Sequence, residues 1–283
     1  MLTAEKEAGQ IKAHNYWEPR HHGALQLTFL SEHRASIEPS KIHRHRDRPP
    51  AGRRRSTNPT SGRLPPPNET DTPSPTSEQA YVIVRRFTLS HMDRPFEPIR
   101  EITQLQYTNW PDFGAPAHPA HLLGLVEQCD AVVRVSNGGS PSSLGLAAQP
   151  RPILVHCSAG CGRTGTFCTV DSVLDMLKRQ RARAELTRAA RHVSPMDIEG
   201  AAPLLYQQQV LRLRTSGGDD PPTADFADPA DPEWLCRDDI DLIEKTVEDF
   251  RLQRLSMVQS LRQFVLCYES VLEWLATQTP KSA

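Results

Sequence analysis

The stretch HCSAGCGRTG, residues 156–165, decides the fold of this chain. It follows the apolar run PILV at residues 152–155 and precedes residues 166–179, in which Phe167, Val170 and Val173 recur at helical spacing. This order predicts a buried central strand over PILVHC, then a loop, then a helix over residues 166–179. Because a loop that ends at a helix N-terminus points backbone N–H groups at one spot, the segment is typical of an anion-binding site.

Cys157 and Arg163 are the reactive groups of this loop. The planar guanidinium of Arg163 can bind two phosphate oxygens at once, and Gly160 and Gly162 let the backbone approach a ligand closely. The pKa of a free cysteine is about 8.5, and the N–H groups, the helix end and Arg163 lower it by favouring the thiolate. We therefore predict that Cys157 is a nucleophile aimed at phosphorus. The alternative is a buried, inert cysteine before a glycine turn.

The same ten residues resemble the phosphate-binding loop of the protein tyrosine phosphatases, and that of the tyrosine-specific, non-receptor type more than that of the dual-specificity branch. The resemblance implies an α/β fold with a central mixed, twisted β-sheet flanked by helices. It also implies hydrolysis of phosphotyrosine in proteins through a cysteinyl-phosphate on Cys157, with Thr164 bonding the departing thiolate and His156 in support. The residues expected to hold the phosphate are Ser158, Ala159, Gly160, Cys161, Gly162 and Arg163.

The segment WPDFG, residues 110–114, resembles the mobile loop that supplies the general acid in this family. Phosphotyrosine hydrolysis needs a general acid because the phenolate leaving group must be protonated. The resemblance implies that Asp112 gives this proton and then takes one from water, with Trp110 in support. Without the cysteine loop, the segment would be a plain turn after a strand.

Residues 251–268 resemble the glutamine-loop segment of the family. The resemblance implies that Gln259 positions the water that hydrolyses the cysteinyl-phosphate and that Gln263 assists it. A glutamine suits this task because its amide both donates and accepts hydrogen bonds. Taken alone, the two glutamines would be ordinary polar residues on an amphipathic helix.

The start of the chain, MLTAEKEAGQIKAHNYW, resembles the strand and loop that support the site in the family. This implies that Glu7 holds Arg163 in a phosphate-gripping rotamer and that Lys12 contacts the loop of Asp112; a charged surface hairpin is the alternative. Family catalytic domains begin well before the segment that matches Met1, and their Lys-Asn-Arg-Tyr segment, which sets pocket depth, is absent from this sequence. We therefore expect an N-terminally truncated, poorly soluble catalytic domain whose selectivity for phosphotyrosine is not readable from the chain.

Composition indicates one domain with long insertions. With 25 prolines and 37% hydrophobic residues, part of the 283-residue chain lies outside any packed core. We predict three parts. They are an N-terminal part of the catalytic domain at residues 1–40, a disordered basic and Pro/Ser/Thr-rich insertion at 41–79, and the remainder at 80–283 with loops at about 136–149 and 215–232.

Residue periodicity supports the α/β class independently of the loop. Residues 25–32 and 81–90 alternate like strands, and the pattern continues over residues 101–110. Apolar residues return at helical spacing after Pro119 and again between Met257 and Leu275. Strands and helices mixed along the chain favour a layered α/β domain.

Charge and cysteine usage narrow the function classes. A net charge of -1 indicates neither nucleic acid nor a membrane surface as partner, and no run of about 18 apolar residues occurs. The six cysteines lack both a disulfide framework and zinc-ligand spacing, so we expect no metal and no other cofactor. With no secretory signal at the polar start of the chain, the cytoplasm is the expected location and the nucleus the alternative.

Phosphotyrosine-containing proteins are the expected partners. The insertions are similar to those of fungal family members, which suggests signalling kinases among the substrates. Two other functions remain open: an inactive phosphopeptide-binding module, and a dual-specificity or lipid phosphatase, against which the WPDFG and glutamine segments argue. Cys161 has two interpretations as well, a small filler residue or the partner of an oxidised Cys157 in a reversible disulfide.

Overall fold

The computed structural model describes residues 1–18, 21–38, 80–136, 152–192, 237 and 239–278. The predicted insertion at 41–79 and the predicted loop at 215–232 lie outside the described residues, as does the loop at 136–149 beyond its first residue. Within the described ranges, no helix is long and apolar enough to cross a membrane.

Six strands form two antiparallel sheets in the described ranges. A small hairpin consists of β1 (Lys6–Glu7) and β2 (Gln10–Ile11), turning through Ala8 and Gly9 at φ values of 47° and 80°. The larger sheet has the order β3-β4-β5-β6. Its strands are β3 (His21–His22), β4 (Leu25–Ser36), β5 (Tyr81–His91) and β6 (Arg94–Gln106). The two long strands predicted from residue alternation are therefore confirmed.

The register of the larger sheet places Arg85 of β5 opposite Glu32 of β4 on one side and Gln104 of β6 on the other. A bulge at Leu30 separates the two halves of the β4–β5 pairing. Val82 and Val84, on either side of the less buried Ile83, belong to the hydrophobic core.

Four helices pack together against this sheet. They are α1 (Pro119–Ser136), α2 (Gly162–His192), α3 (Leu242–Gln253) and α4 (Leu261–Gln278). The helices predicted after Pro119, over residues 166–179 and towards Leu275 are confirmed as α1, α2 and α4. Helix α3, which the sequence patterns did not predict, begins at Asp241, whose carboxylate accepts hydrogen bonds from two N–H groups of the first turn.

One hydrophobic core joins the sheet to the helices. Helix α1 crosses the end of β4 so closely that a Cβ on Gly124 would lie 1.8 Å from the carbonyl oxygen of Ile37. Glycine is therefore required at this contact. The fully buried core includes Ile37, Val82, Tyr107, Trp110, Leu122, Leu125, Val170, Leu174 and Leu266.

The α/β class is confirmed, but two details of the predicted sheet are wrong. Every pairing among the described strands is antiparallel, so the sheet is not mixed in this part of the chain. Residues 152–157 form no strand, and Leu154 is 88% exposed. Their backbone makes a single described hydrogen bond to another segment, from Leu2 N to His156 O at 2.8 Å, and one bond does not make a ladder. The apolar pattern of residues 152–155 predicted a buried central strand, but such a strand also needs a paired strand on each side.

Candidate active site

The loop at residues 157–161 runs directly into the N-terminus of α2 and surrounds the Cys157 thiol, which is 6% exposed. Burial raises the pKa of this thiol, but hydrogen bonds from the hydroxyl and N–H of Thr164 and from the N–H groups of Gly160 and Cys161 outweigh burial and lower it. The buried Thr164 hydroxyl makes no hydrogen bond of normal geometry within the described part of the chain, so its donor is free to act on the thiolate. Gly160, at φ 70°, turns the loop so that its N–H groups converge on the sulfur.

Arg163 is fully buried beside this loop. Its Nη1 donates to Glu7 Oε1 at 2.5 Å and to the carbonyl oxygen of Trp110 at 2.9 Å. Nη2 lies 3.4 Å from Asp112 Oδ1, and neither Nε nor Nη2 makes a hydrogen bond within the described ranges. The two donors with the geometry to bind a phosphate edge-on are therefore the two without hydrogen-bond partners.

Asp112 lies between two cations. Lys12 Nζ is 2.9 Å from Asp112 Oδ2, and Arg163 is on its other side. Burial raises the pKa of Asp112, but the hydrogen bond from Lys12 and the charges of Arg163 and Lys12 together lower it. In this arrangement Asp112 is a carboxylate at neutral pH, the form that accepts a proton.

The loop that bears Asp112 is held by backbone and side-chain contacts. Trp110 Nε1 donates to the carbonyl oxygen of Gly114 at 3.0 Å. Phe113 adopts a φ of 56°, a strained value for a residue with a side chain, and is 58% exposed. Ser260 Oγ donates to the carbonyl oxygen of Phe113 at 2.8 Å, which joins this loop to the glutamine-bearing segment.

Gln259 and Gln263 lie against the first residue of α2. A Cβ on Gly162 would be 2.8 Å from Gln263 Oε1 and 3.0 Å from Gln259 Oε1, so glycine is needed for this approach. Gln263 is fully buried; its Oε1 accepts from the N–H groups of Gln259 and Ser260 at 3.1 and 3.3 Å. Its Nε2 has no hydrogen-bond partner in the described segments.

Arg251 and Arg254 connect the end of α3 to two neighbouring segments, residues 257–258 and the loop at residues 157–161. Arg251 donates to the carbonyl oxygens of Met257 and Val258, each at 3.0 Å. Arg254 donates to Cys161 Sγ at 3.0 Å and to the carbonyl oxygen of Ala159 at 2.7 Å. Both arginines belong to the segment that resembles the family's glutamine loop, and the resemblance implied no role for them. Only the fold shows that they hold the two loops together.

His156 precedes the thiol and is contacted by Tyr16. The Tyr16 oxygen is 2.6 Å from His156 Nε2, and His156 Nδ1 is 3.2 Å from the carbonyl oxygen of Cys157. Burial lowers the pKa of His156. The hydrogen bond to Cys157 raises this pKa by a smaller amount, and the nearby amino group of Met1 lowers it further. The imidazole is therefore neutral at pH 7.

Part of this chain is similar in sequence to a known protein family. The family model described as protein-tyrosine phosphatase matches residues 69–196. Tyrosine-protein phosphatase non-receptor type 18 of Homo sapiens is 46% identical over 81 residues, which are 29% of this chain and 15% of that protein. Residues 69–196 are therefore similar to the protein tyrosine phosphatase family. The family predicted from residues 156–165 is thereby confirmed, and the match to a non-receptor enzyme agrees with the predicted branch.

Two further relatives of this phosphatase segment show how much of each protein it spans. Tyrosine-protein phosphatase Lar of Drosophila melanogaster is 39% identical over 106 residues, 38% of this chain and 4% of that protein. Tyrosine-protein phosphatase 3 of Saccharomyces cerevisiae is 28% identical over 191 residues, 68% of this chain and 15% of that protein. The chain therefore spans a small part of the length of these curated phosphatases.

A solved structure of PTPN18 in complex with HER2 phosphopeptides is similar over 97% of this chain and 61% of the PTPN18 chain, with a TM-score of 0.48 and 21% sequence identity. A second structure of the same protein, on HER2 tyrosine phosphorylation sites, covers 97% and 58% at a TM-score of 0.49 and 22% identity.

The structure brings most of the site residues predicted from sequence to one place. Arg163 contacts Glu7, Trp110 and Asp112, and Asp112 contacts Lys12. The two predicted glutamines lie against Gly162. Ser158 is exposed at the mouth of the loop, and Ala159 holds Arg254 through its carbonyl oxygen.

Proposed function

We propose that this chain hydrolyses phosphotyrosine in proteins through a cysteinyl-phosphate intermediate on Cys157. The observation that carries the proposal is the Cys157 thiol, whose pKa is lowered by loop N–H groups and the Thr164 hydroxyl. The loop that bears this thiol runs into the first turn of α2, which carries Arg163, and Nε and Nη2 of Arg163 have no hydrogen-bond partners among the described residues. A thiolate with an adjacent fixed guanidinium fits attack on a phosphoryl group that the guanidinium holds.

In the first step, the Cys157 thiolate attacks phosphorus while the bond from phosphorus to the tyrosine oxygen breaks. Asp112 gives its proton to the departing phenolate. Arg163 and the loop N–H groups from Ser158 onward stabilise the charge on the equatorial oxygens. Because these donors are already in place around the sulfur, the reaction requires little rearrangement of the loop.

In the second step, water attacks phosphorus and the bond from phosphorus to sulfur breaks. Gln259 orients the water, Gln263 assists, and Asp112 takes the water proton. The Thr164 hydroxyl hydrogen-bonds the departing thiolate. Gln263 Nε2, which has no hydrogen-bond partner among the described residues, is a donor that can serve this step.

Asp112 must be protonated before the first step, whereas Lys12 and Arg163 lower its pKa. A bound phosphate dianion reverses this balance, because it repels the carboxylate and takes up the charge of Arg163. Substrate binding thus prepares Asp112 as an acid, and its loss of a proton prepares it as the base for the second step. Lys12 holds the Asp112 loop in place through both steps.

The remaining residues have supporting roles in this proposal. Glu7 and the carbonyl oxygen of Trp110 fix the plane of the Arg163 guanidinium through the bonds described above. His156 holds the peptide of Cys157. The catalytic domain comprises residues 1–40 and 80–283, interrupted by the insertion at 41–79. Its substrates are phosphotyrosine proteins of the cytoplasm, signalling kinases among them.

Phosphate release from a phosphotyrosine peptide tests the proposal. We expect turnover by the wild-type chain, none by Cys157→Ser, and near-normal turnover by Cys168→Ser. Cys168 is a suitable control because burial and the charge of Asp171 raise its pKa to about 11, which leaves it a poor nucleophile. Turnover by Cys157→Ser would refute the assigned nucleophile. Folded wild-type protein that captures the peptide without releasing phosphate would instead indicate a binding module.

A further inference from the structure

A chain of hydrogen bonds leads from a buried arginine of the sheet to the backbone of the nucleophile. It begins at Arg85 in the middle of β5, which is 6% exposed. Arg85 Nε donates to Glu32 Oε2 at 2.6 Å, and its guanidinium carbon lies 4.6 Å from the centre of the Trp17 ring. Held on these sides, Arg85 donates through Nη1 to Gln104 Oε1 at 3.0 Å and to Gln106 Oε1 at 2.6 Å.

Arg85 determines which way the Gln104 amide points. An arginine side chain has donors and no acceptor, so the amide atom facing it is the oxygen. The amide nitrogen therefore faces the other way, and it donates to the Tyr16 hydroxyl oxygen at 2.9 Å. The cross-strand register, which sets Arg85 opposite Gln104, makes this orientation a property of the sheet.

Gln104 in turn determines where the Tyr16 proton goes. The Tyr16 oxygen accepts from Gln104, and among the described residues its one hydrogen has two possible acceptors: His156 Nε2 at 2.6 Å and the weak acceptor Met1 Sδ at 3.9 Å. The imidazole nitrogen is by far the closer and stronger acceptor. Burial raises the pKa of Tyr16, which keeps this proton in place at neutral pH.

His156 is left with one possible neutral form. Nε2 accepts from Tyr16, so the ring proton is on Nδ1, and Nδ1–H donates to the carbonyl oxygen of Cys157 at 3.2 Å. This bond fixes the peptide group between Cys157 and Ser158, which is the first peptide group of the loop at residues 157–161. In this chain, each of four side chains donates a hydrogen bond to the next group, from Arg85 in the sheet to the Cys157 carbonyl in the active site.

We propose that Arg85 and Gln104 are positioning residues that select the Nδ1–H tautomer of His156 and through it hold the Cys157 peptide. The catalytic importance of this arrangement rests on the proposed function, but the tautomer itself does not. Neither residue touches the reacting atoms; both act through Tyr16 and His156.

Gln104→Glu reverses the direction of the chain. A carboxylate cannot donate, so it accepts the Tyr16 hydrogen, and the Tyr16 oxygen then needs a donor from His156 Nε2. The imidazole meets this need and keeps its bond to Cys157 only by becoming doubly protonated. We expect the pKa of His156 to rise by about one unit or more, and the pH midpoint of Cys157 alkylation by iodoacetamide to fall, since a cation now faces the thiol.

Nitrogen NMR of ¹⁵N-histidine-labelled full-length chain reads both states directly. The chain has 11 histidines, so the signal of His156 is assigned by its loss in His156→Gln. Gln106→Glu is the matched control: Gln106 also accepts from Arg85, but its Nε2 donates to the carbonyl oxygen of Thr3 at 3.2 Å and not towards His156. We expect this control to leave the His156 signal unchanged.

Three results would overturn the proposal: an Nε2–H tautomer in the wild type, a protonated wild-type His156 at pH 7, or an unchanged His156 signal in Gln104→Glu. The wild-type spectrum alone tests the first two results. The proposal can therefore be refuted even if the Gln104→Glu variant fails to fold. Absence of phosphate release with the expected tautomer would count against the proposed function alone.

Discussion

The Thr164 hydroxyl offers the sharpest test of how this site makes a nucleophile. Thr164 is 7% exposed, and its hydroxyl is one of four hydrogen-bond donors that lower the pKa of Cys157 against the effect of burial. Thr164→Val keeps the shape of the side chain and the backbone N–H but removes the hydroxyl. The variant therefore removes one of the four bonds and leaves the other three.

The size of the effect follows from the charge of the thiolate. A hydrogen bond to a charged group contributes about 1.5–3 kcal/mol, and one pKa unit corresponds to about 1.4 kcal/mol. We expect the pKa of Cys157 to rise by about 1–2 units in Thr164→Val. At pH values below the wild-type midpoint, the alkylation rate of Cys157 should fall by roughly 10- to 100-fold, since it follows the thiolate fraction.

The assay is the rate of iodoacetamide alkylation of Cys157 against pH, read by mass spectrometry of the peptide that contains it. Thr164→Ser restores a hydroxyl and should restore most of the rate. Thr169→Val is the control, because Thr169 is buried in the same helix but is not among the groups that shift the pKa of Cys157. An unchanged midpoint in Thr164→Val, or an equal shift in Thr169→Val, would refute the account of thiolate stabilisation given above.

Two further predictions concern stability and the second chemical step. Asp171 lies half-buried in α2, where burial and then the charge of Asp130 raise its pKa to about 6. The folded form therefore prefers the protonated carboxyl, so its stabilisation is complete below about pH 4 and is lost as the pH rises through about 6. Asp171→Asn should be more stable than wild type by roughly 1–3 kcal/mol at pH 8 and equal to it at pH 4. Urea unfolding at the two pH values measures this, and equal stability at pH 8 would contradict it. Gly162→Ala should displace Gln263 and Gln259, at a cost of about 1–3 kcal/mol typical of overpacking, and slow hydrolysis of the cysteinyl-phosphate about tenfold. Rapid-mixing kinetics should then show an undiminished initial burst of phenol with a slower steady state, whereas a lost burst would place the defect in the first step.

The parts of the fold that could be predicted are those written in consecutive residues. Apolar spacing predicted α2 because one face of that helix, including Val170 and Leu174, meets the core directly. The same reasoning failed at residues 152–157, since a strand depends on partners elsewhere in the chain and Leu154 finds none that bury it. Local patterns indicate what a segment prefers, and distant segments decide whether the preference is met.

The candidate site shows the same division. The contacts of Glu7 with Arg163 and of Lys12 with Asp112 join residues more than 95 positions apart. They were predicted from resemblance to a family, because no residue pattern encodes such a contact. Arg85 could not be found at all: next to Arg86 on a strand, it looks like a solvated charge. Its burial depends on a register that brings Glu32 and Gln104 to its two sides.

The amino-acid sequence by itself determined the loop that opens helix α2, the cysteine and arginine of that segment, and the family resemblance, because convergent N–H groups arise within one short segment. Only the tertiary structure decided which charged side chains lie beside that loop and in which direction the hydrogen bonds around it run. The pairing of Asp112 with Lys12, the unbonded edge of Arg163, and the direction of the chain from Arg85 to His156 all depend on sheet register and helix packing. Hydrogen-bond direction and pKa are set by the atoms within a few ångströms, and those atoms are assembled from all parts of the chain.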